Sequence, residues 1–543
     1  MNSKLKLHIA IVFALIFLSA SSFGQKKPIR PDRQRPADSR AAQGTKIKIS
    51  GNPPPKYKGK VVDGERIFTW WENVIIDHEG TKIYCDSVIY FESNNMAQVY
   101  GNVRIVEDSV VITSHRGVYY GNTKKSELRG NVVFKKQGDL TLYTNYLDYD
   151  QPSRLAYYYN GGKLVDSENT LTSTRGYLNE YQNLASFAKN VHVENNDFQM
   201  DCDTMQYHTT SKIVYFRSPT QVVDKEGKTA KYESGFYNTI SGRSSLRNSE
   251  FETPNYYLQG METEADEINQ LYKARGNVVL ISKDENVIIK GTNGIYDKKN
   301  GWTKVYGNAI LKRMDSKGDT LYLKADTLLS RETEIEDQEN LYAYKNVRIF
   351  KSDFQGKADS VAFNEADSMM QFFESPVIWS KGVQLSADTI EIRFNQGRID
   401  KMLLNTKSFI ISQDTFKLFN QVKGREMIAH FQDSELKWVE VNGNAESVYF
   451  LVDEQKLKLM GMDRVICSNI HIDFQNSTIK DIRYLTNVEA NVYPPKEITK
   501  NKARLDGFLW QVPQKPKLEE FIDYILHLRP PHKRDPSERK IRN

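Results

Sequence analysis

Residues 96–105 read Met-Ala-Gln-Val-Tyr-Gly-Asn-Val-Arg-Ile, and this stretch contains the pattern that decides the fold. Apolar and polar residues alternate on both sides of a Gly-Asn pair. The alternation predicts a half-buried β-strand, and the pair predicts a bulge where the strand bends, because Gly readily takes a positive φ. Gly-Asn-Val recurs at 130–132 and 276–278, and Gly-Asn-Ala occurs at 307–309 and 443–445. One strand-and-bend unit is therefore repeated along the chain.

Degenerate copies of this motif fill the intervals between the complete ones. They begin at Lys189, Ser218, Lys345 and Ser375, and most spacings are one or two multiples of about 30 residues. A second motif, a small residue followed by Asp, keeps the same period, as in the stretch from Cys85 to Tyr90. Asp and Asn are small polar residues suited to capping the backbone at a corner, so neither motif is assigned any chemistry.

The repeat predicts an all-β fold, an elongated β-jellyroll or β-solenoid of about fourteen units of about 30 residues. Proline placement supports this prediction, because proline cannot donate a hydrogen bond to a sheet. Only four of the seventeen prolines lie between residues 56 and 493, while the two ends of the chain are rich in proline.

The two ends of the chain are predicted to lie outside the repeat. Lys4 and Lys6 precede an apolar run, which is typical of a secretory signal peptide at residues 1–24. A basic, proline-rich N-terminal arm is expected at 25–58, the repetitive body at 59–493, and a basic, proline-rich C-terminal arm at 494–543. Helical periodicity predicts one short helix at 518–528, whose apolar face is expected to cap the last strand.

Charge and cysteine content exclude several classes of function. The net charge is +6, and residues 1–50 and 496–543 together carry +13, which leaves −7 on the body. Nucleic-acid binding is therefore not expected, because it needs a basic surface. Cys85, Cys202 and Cys467 lack the spacing of metal ligands, and Cys85 and Cys202 are predicted to be unbonded because four repeats separate them.

The chain contains no linear motif of a known type of active site. Zinc-protease helix motifs, phosphate-binding loops and nucleophile elbows are absent from the sequence, and the nine histidines are scattered. We therefore expect no enzyme activity, no metal and no cofactor. A polysaccharide lyase stays a less favoured alternative, because a solenoid can bring distant charged residues together on one lateral face.

The pattern resembles the OstA-like family, most clearly at Met96–Ile105 and at Tyr272–Leu280, and at the level of the repeat over about residues 60–490. The resemblance implies a V-shaped, open-edged β-jellyroll that holds lipid acyl chains in an apolar groove. It further implies a periplasmic protein, free or associated with the outer membrane, that acts as a lipid-carrying bridge in lipopolysaccharide transport. The implied partners are lipopolysaccharide or lipid A, and transport components with similar β-jellyroll domains at the inner and outer membranes.

Residues on the apolar face of the strands are the candidates for lining this groove. They are Val88, Tyr90, Val103, Ile105, Val132, Phe134, Leu147, Tyr149, Val191, Val193, Val278, Leu280, Val347 and Ile349. Alternation alone predicts equally well that the same residues form a packed core, as in an exported adhesin or scaffold with a sealed interior. Two features depart from a compact carrier: the body is more than twice as long as one needs, and a C-terminal arm is added.

Overall fold

The computed structural model describes residues 45–522, except for the short segments 108–109, 137–139, 167–168, 315–317, 333–338, 353, 365, 396–397, 415, 433–434, 454–457 and 476–477. The predicted signal peptide, most of the predicted N-terminal arm and residues 523–543 lie outside the described residues. The described chain consists almost entirely of antiparallel β-strands, which confirms the predicted all-β class.

Two compact units make up the chain. Within the described residues, the N-terminal unit comprises residues 45–254 and Gln259–Ala274, and the C-terminal unit comprises Asn255–Leu258 and residues 275–522. The first half of the chain forms strands β1 Lys48–Ser50, β2 Lys56–Val62, β3 Glu65–His78, β4 Thr81–Phe91, β5 Met96–Glu107, β6 Val110–Tyr120, β7 Lys125–Lys136, β8 Thr141–Asp150, β9 Leu155–Tyr158, β10 Gly162–Val165, β11 Asn169–Ser173, β12 Arg175–Asn179, β13 Leu184–Asn195, β14 Phe198–His208, β15 Ile213–Phe216, β16 Thr220–Asp224, β17 Thr229–Tyr232, β18 Ser234–Asn238, β19 Arg243–Glu252 and β20 Tyr256–Asp266.

The second half continues with β21 Leu271–Ser282, β22 Val287–Asp297, β23 Trp302–Met314, β24 Thr320–Glu332, β25 Glu339–Lys351, β26 Phe354–Asn364, β27 Met369–Phe373, β28 Val377–Ser380, β29 Val383–Ser386, β30 Thr389–Asn395, β31 Arg398–Gln413, β32 Phe419–Gln432, β33 Glu435–Asp453, β34 Lys458–Gln475, β35 Thr478–Leu485 and β36 Glu489–Tyr493. After β36 come two 3₁₀ turns, Pro495–Glu497 and Val512–Gln514, and the short helix α1 Glu519–Ile522.

Each of the five Gly-Asn-Val or Gly-Asn-Ala motifs has the positive-φ pair of the predicted bulge. Gly101 and Asn102 have φ values of 70° and 43°, and the pairing of β5 with β4 and β6 shifts register there, between Tyr100 and Val103. Positive φ is easy for Gly and tolerated by Asn, which explains why these two residue types recur. The motif also occurs in forms that the sequence pattern missed, at Glu72–Asn73, Thr406–Lys407 and Thr486–Asn487.

Two of the degenerate copies were placed wrongly. The positive-φ pair near residue 375 is Glu374–Ser375, one residue earlier than predicted. Ser218 and Pro219 do not form such a pair, because the proline ring fixes φ near −65°. At that corner the Ser218 hydroxyl accepts hydrogen bonds from the backbone N–H groups of Asp203 and Thr204 instead, at 3.1 and 2.8 Å.

The second motif lies opposite the first, so the two build one corner. Asn102 donates a side-chain hydrogen bond to Asp86 Oδ2 at 2.9 Å. A Cβ atom added at Gly101 would lie 2.2 Å from the same carboxylate oxygen, so only Gly fits beside Asp86. The corner role predicted for the Asp and Asn residues is thus observed at this bend.

Every bent strand contributes to two facing half-sheets. We call half-sheet A the part on the Met96–Tyr100 side of the bulges, and half-sheet B the part on the Val103–Glu107 side. Phe134 pairs with Leu142 in half-sheet B, and Tyr149 pairs with Ser126 in half-sheet A, yet the two ring centroids are only 6.2 Å apart. The half-sheets therefore pack face to face, and the alternating apolar residues fill the space between them.

The C-terminal unit has a third layer, which we call the C-terminal strap (residues 496–522). Leu505 packs into an apolar cluster on the outer face of half-sheet B, formed by Phe409, Ile411, Val448, Phe450 and Met462. Phe521 is fully buried against Tyr322 and Phe350. The helix α1 thus packs on β24 and β25, so the expectation that this helix caps the last strand was wrong.

Two buried glutamines bind the backbone of the strap. The side chain of Gln421 donates to Ala503 O and accepts from Leu505 N–H, both at 2.9 Å. Gln384 donates in the same way to Leu509 O and accepts from Gln511 N–H, both at 2.7 Å. Each glutamine is only 1% exposed, and these bonds satisfy side chains whose burial is otherwise costly.

The three cysteines are free, as predicted for Cys85 and Cys202. Burial raises the pKa of the Cys85 thiol to about 12 and that of Cys202 to about 11. Both are therefore protonated at neutral pH and chemically inert, which fits their role as small residues at the corners.

We predict that Phe521→Ala lowers the stability of the C-terminal unit by about 3 kcal/mol, the usual cost of emptying a buried aromatic site. Leu509→Ala is the matched control, because the Leu509 side chain is 61% exposed in the same strap. Thermal unfolding followed by circular dichroism measures both variants. Equal midpoints for the two would show that the strap does not stabilise the unit.

Candidate functional site: the interior between the half-sheets

All fourteen predicted groove residues point into the space between the half-sheets and are buried. Their exposed fractions do not exceed 7%: Val88, Tyr90, Val103, Ile105, Val132, Phe134, Leu147, Tyr149, Val191, Val193, Val278, Leu280, Val347 and Ile349. Period-two alternation placed them there because consecutive side chains of a strand point to opposite faces. In each unit, the candidate residues therefore lie on the inner surface between the half-sheets.

Side chains from the two half-sheets touch each other across the interior of the N-terminal unit. The hydroxyl groups of Tyr158 and Ser173 form a hydrogen bond of 2.6 Å, and the rings of Phe216 and Tyr232 lie 4.7 Å apart. Residues from both half-sheets thus fill the interior at these levels. It is occupied by the protein's own side chains at the positions where a ligand would lie.

The first strands of the N-terminal unit close this interior with a polar contact. His78 lies at the end of β3 in half-sheet B and is 2% exposed. Its Nδ1 atom is hydrogen-bonded to the Tyr119 hydroxyl of half-sheet A at 2.8 Å, and its Nε2 atom to Thr45 O at 2.7 Å. Burial raises the pKa of Tyr119 well above its usual range. The pair joins the strand ends, which lie opposite the bends.

One acidic side chain lies at the edge of the apolar interior. Glu267 follows β20, and its Oε1 atom is buried without a hydrogen-bond partner. Desolvation raises the pKa of this carboxyl group to about 7. It also lies near Tyr237, whose pKa is raised to about 12, mainly by burial and in addition by Glu267. The sequence pattern did not single out Glu267, because nothing in the local sequence distinguishes it from an exposed turn residue.

The outer-face cluster under the strap was also missed, although the sequence contains a signal for it. Strands β28, β31 and β33 include the runs Val377–Trp379, Phe409–Ile411 and Val448–Phe450, in which consecutive residues are all apolar. Such a run is typical of a strand buried on both faces. It indicates that a further layer covers the outer face of half-sheet B.

The described residues offer little for other kinds of site. No group of three or more His, Cys, Asp or Glu side chains that could hold a metal ion occurs among them. Within the same residues, no helix has the length and apolar character required to cross a membrane.

The sequence motifs on which the resemblance rests, Gly-Asn-Val and the small residue followed by Asp, form the bends of the strands. The family model described as OstA-like protein matches residues 58–203. We call residues 58–203 the OstA-like segment because they match this family model. The match covers β3 to β13 and most of β14, and so includes ten of the fourteen candidate residues, from Val88 to Val193.

Comparison with other proteins adds a likeness in structure. No curated protein matches the chain. Thirteen chains of solved structures match, among them LptH, described as the LptA homologous periplasmic component of the conserved lipopolysaccharide transport device from Pseudomonas aeruginosa. The identity with LptH is 13% and the TM-score is 0.18, and the likeness covers 20% of this chain and 76% of LptH. The OstA-like segment is thus identified by the family model alone.

We predict that Glu267→Gln raises the thermal unfolding midpoint at pH 8 and leaves it unchanged at pH 4. The folded-state pKa of about 7 lies above the ordinary value of 4.5, so the wild type loses stability as the pH rises between these values. At pH 4 the carboxyl group is protonated in both the folded and the unfolded state, and the substitution then removes no charge.

The matched control is Asp266→Asn. The pKa of Asp266 is lowered, because hydrogen bonds from Asn269 and the nearby Arg243 outweigh its desolvation. This variant is therefore expected to lose stability at pH 8. A Glu267→Gln midpoint that follows the wild-type pH profile would contradict the buried-carboxyl interpretation.

Proposed function

We propose that this chain is a periplasmic lipid-carrying bridge in lipopolysaccharide transport to the outer membrane, and that it holds acyl chains between the two half-sheets. The observation that carries the proposal is the mainly apolar inner face of the OstA-like segment, which residues from Val88 to Val193 line. The protein acts as a carrier and not as an enzyme. A signal peptide at residues 1–24 delivers it to the periplasm, where it meets transport components with similar β-jellyroll domains.

The physical basis of carriage is the transfer of acyl chains from water to an apolar interior. Each buried methylene group contributes about 0.8 kcal/mol, so one acyl chain supplies several kcal/mol. This gain must exceed the loss of contacts between the half-sheets. At Phe134 and Tyr149, a ring contact with a centroid distance of 6.2 Å joins them.

Entry is proposed at the strand ends rather than at the bends. At the bends the chain itself connects the half-sheets, and side-chain bonds such as Asn102 to Asp86 reinforce the corner. At the strand ends that the structure describes, side chains such as those of His78 and Tyr119 join the half-sheets. Parting the ends breaks few hydrogen bonds, and the bulges provide the hinge.

The second candidate is an exported scaffold or adhesin with a sealed interior. The packing of the fourteen interior residues favours it, since all are buried against other side chains. The two functions differ in one measurable property, which is whether lipid reaches the interior of the native protein.

A photo-crosslinking amino acid placed at an interior position tests the proposal. Benzoylphenylalanine in place of Tyr149 or Phe134 keeps an aromatic ring inside, and the same residue in place of Tyr143, which is 46% exposed on the outer face, is the control. Each variant is irradiated with lipopolysaccharide, and the adduct is detected by its mass. Carriage predicts adducts at the interior positions and none at Tyr143. A sealed scaffold predicts none at any position.

We predict that Val132→Asp reduces lipid loading by roughly tenfold or more, because a carboxylate among acyl chains is costly to desolvate. Val133→Asp, one residue along β7 on the opposite face, is expected to load lipid nearly as the wild type does. Lipid that co-purifies with each folded variant is quantified by mass spectrometry.

If Val132→Asp does not fold, Val132→Thr and Val133→Thr replace the pair, because threonine keeps the volume and adds only a hydroxyl group. Equal lipid occupancy in folded inner-face and outer-face variants would show that acyl chains do not lie between the half-sheets.

A further inference from the structure

A pocket opens on the outer face of half-sheet A in the C-terminal unit, away from both the interior and the strap. It is an open depression with a volume of about 610 Å³ beside the bulges of β23, β24 and β25. This volume lies within the usual range for small-ligand sites. Its lining includes the side chains of Lys304, Tyr306, Asn308, Asp326, Tyr344 and Lys345.

The register of three strands explains why a pocket forms here. Tyr306 pairs with Thr327, and Thr327 pairs with Tyr344, so the two tyrosines lie on either side of a small residue. Their backbones are two strand spacings apart, or about 9.6 Å. Thr327 and Gly307 form a low floor, and the two aromatic rings form the walls.

The walls and the rim differ in chemistry. The face of an aromatic ring is electron-rich and favours C–H groups and cations. Lys304 Nζ lies 5.1 Å from the centroid of the Tyr306 ring, and Tyr344 is 40% exposed. Asn308, Asp326 and Lys345 are exposed at the rim, where they offer an amide, a carboxylate and an ammonium group.

The tyrosines of this pocket are arranged differently from a group of tyrosines in the N-terminal unit. Tyr157 and Tyr177 stack on each other with centroids 4.4 Å apart, and Arg129 lies over Tyr146 and Tyr159. Those rings contact one another across adjacent strands. In the pocket Thr327 separates Tyr306 from Tyr344 on the sheet, and the Tyr344 ring stacks on Tyr342 of its own strand with centroids 6.1 Å apart.

We propose that this pocket binds an acidic saccharide. The C–H faces of a sugar ring stack on Tyr306 and Tyr344. The Asp326 carboxylate accepts hydrogen bonds from sugar hydroxyl groups, and the Asn308 amide both donates and accepts them. Lys304 and Lys345 pair with a phosphate or carboxylate group. The pocket is on the outer face, so the proposal does not depend on acyl chains entering the interior. A sugar headgroup of a lipid and a free acidic glycan share this chemistry.

Isothermal titration of the full chain tests the proposal with three probes that carry no acyl chain. They are the phosphorylated core oligosaccharide cleaved from lipopolysaccharide, a carboxylated oligouronide and a neutral maltooligosaccharide. Either acidic probe is expected to bind at least about tenfold more tightly than the neutral probe. Preference for the phosphorylated probe identifies a lipid headgroup as the source, and equal binding of both acidic probes identifies acidic glycans in general.

The variants Tyr306→Ala and Tyr344→Ala are each expected to lower the affinity for the preferred acidic probe by roughly tenfold. The matched control is Tyr100→Ala, because Tyr100 precedes Gly101-Asn102 as Tyr306 precedes Gly307-Asn308 and is similarly exposed. It should bind like the wild type. Lys345→Gln should weaken binding of the acidic probes and leave the weak binding of the neutral probe unchanged.

Three results would overturn the proposal. The first is no binding of either acidic probe, and the second is equal binding by the wild type and both pocket variants. The third is a change of self-association in Tyr344→Ala without a change in saccharide affinity, which would make the pocket a protein interface. If any of these results is obtained but lipopolysaccharide crosslinks to the interior positions, the proposed carrier function still stands.

Discussion

The left-handed two-residue bulge is the constraint on which the rest of this structure depends. A strand that runs straight has one inner face and one outer face over its whole length. The bulge inserts residues at positive φ, so the strand turns a corner and its two halves face each other, as the contact between Phe134 and Tyr149 shows. Because the long strands bend where their register shifts, each of them contributes to both layers of its unit, while short strands such as β9 and β10 belong to one layer each.

The interior that results has two properties relevant to carriage. It is mainly apolar in the OstA-like segment, where polar pairs such as Tyr158–Ser173 also occur, and its own side chains fill it. An apolar interior closed by side-chain contacts can exchange protein–protein contacts for protein–lipid contacts at low cost, because dispersion contacts are similar in both states. The polar bond between His78 and Tyr119 is of a different kind, since breaking it leaves buried polar groups without a partner.

The C-terminal strap gives the two outer faces of the C-terminal unit different roles. On half-sheet B, Gln384 and Gln421 bond to the strap backbone and Leu505 and Phe521 fill apolar sites, so this face is a structural interface. Arg348 adds a bidentate ion pair with Glu520, at 2.7 and 3.1 Å. Half-sheet A remains open to solvent at Tyr306 and Tyr344, and this open face is where a ligand can bind.

The sequence by itself determined the all-β class, the repeat, the bends and the inner-face residues. Each of these follows from local chemistry: alternation selects the face, and Gly-Asn selects positive φ. The sequence pattern missed the bends at which a different residue pair adopts the same backbone conformation, as at Thr406–Lys407. Tertiary pairing there imposes a conformation that neither residue prefers. Only the tertiary structure decided that the strap covers half-sheet B, that Glu267 is buried, and that Tyr306 and Tyr344 enclose a pocket. These features join residues from strands far apart in the chain, and a local pattern contains no information about which distant side chain will be the neighbour.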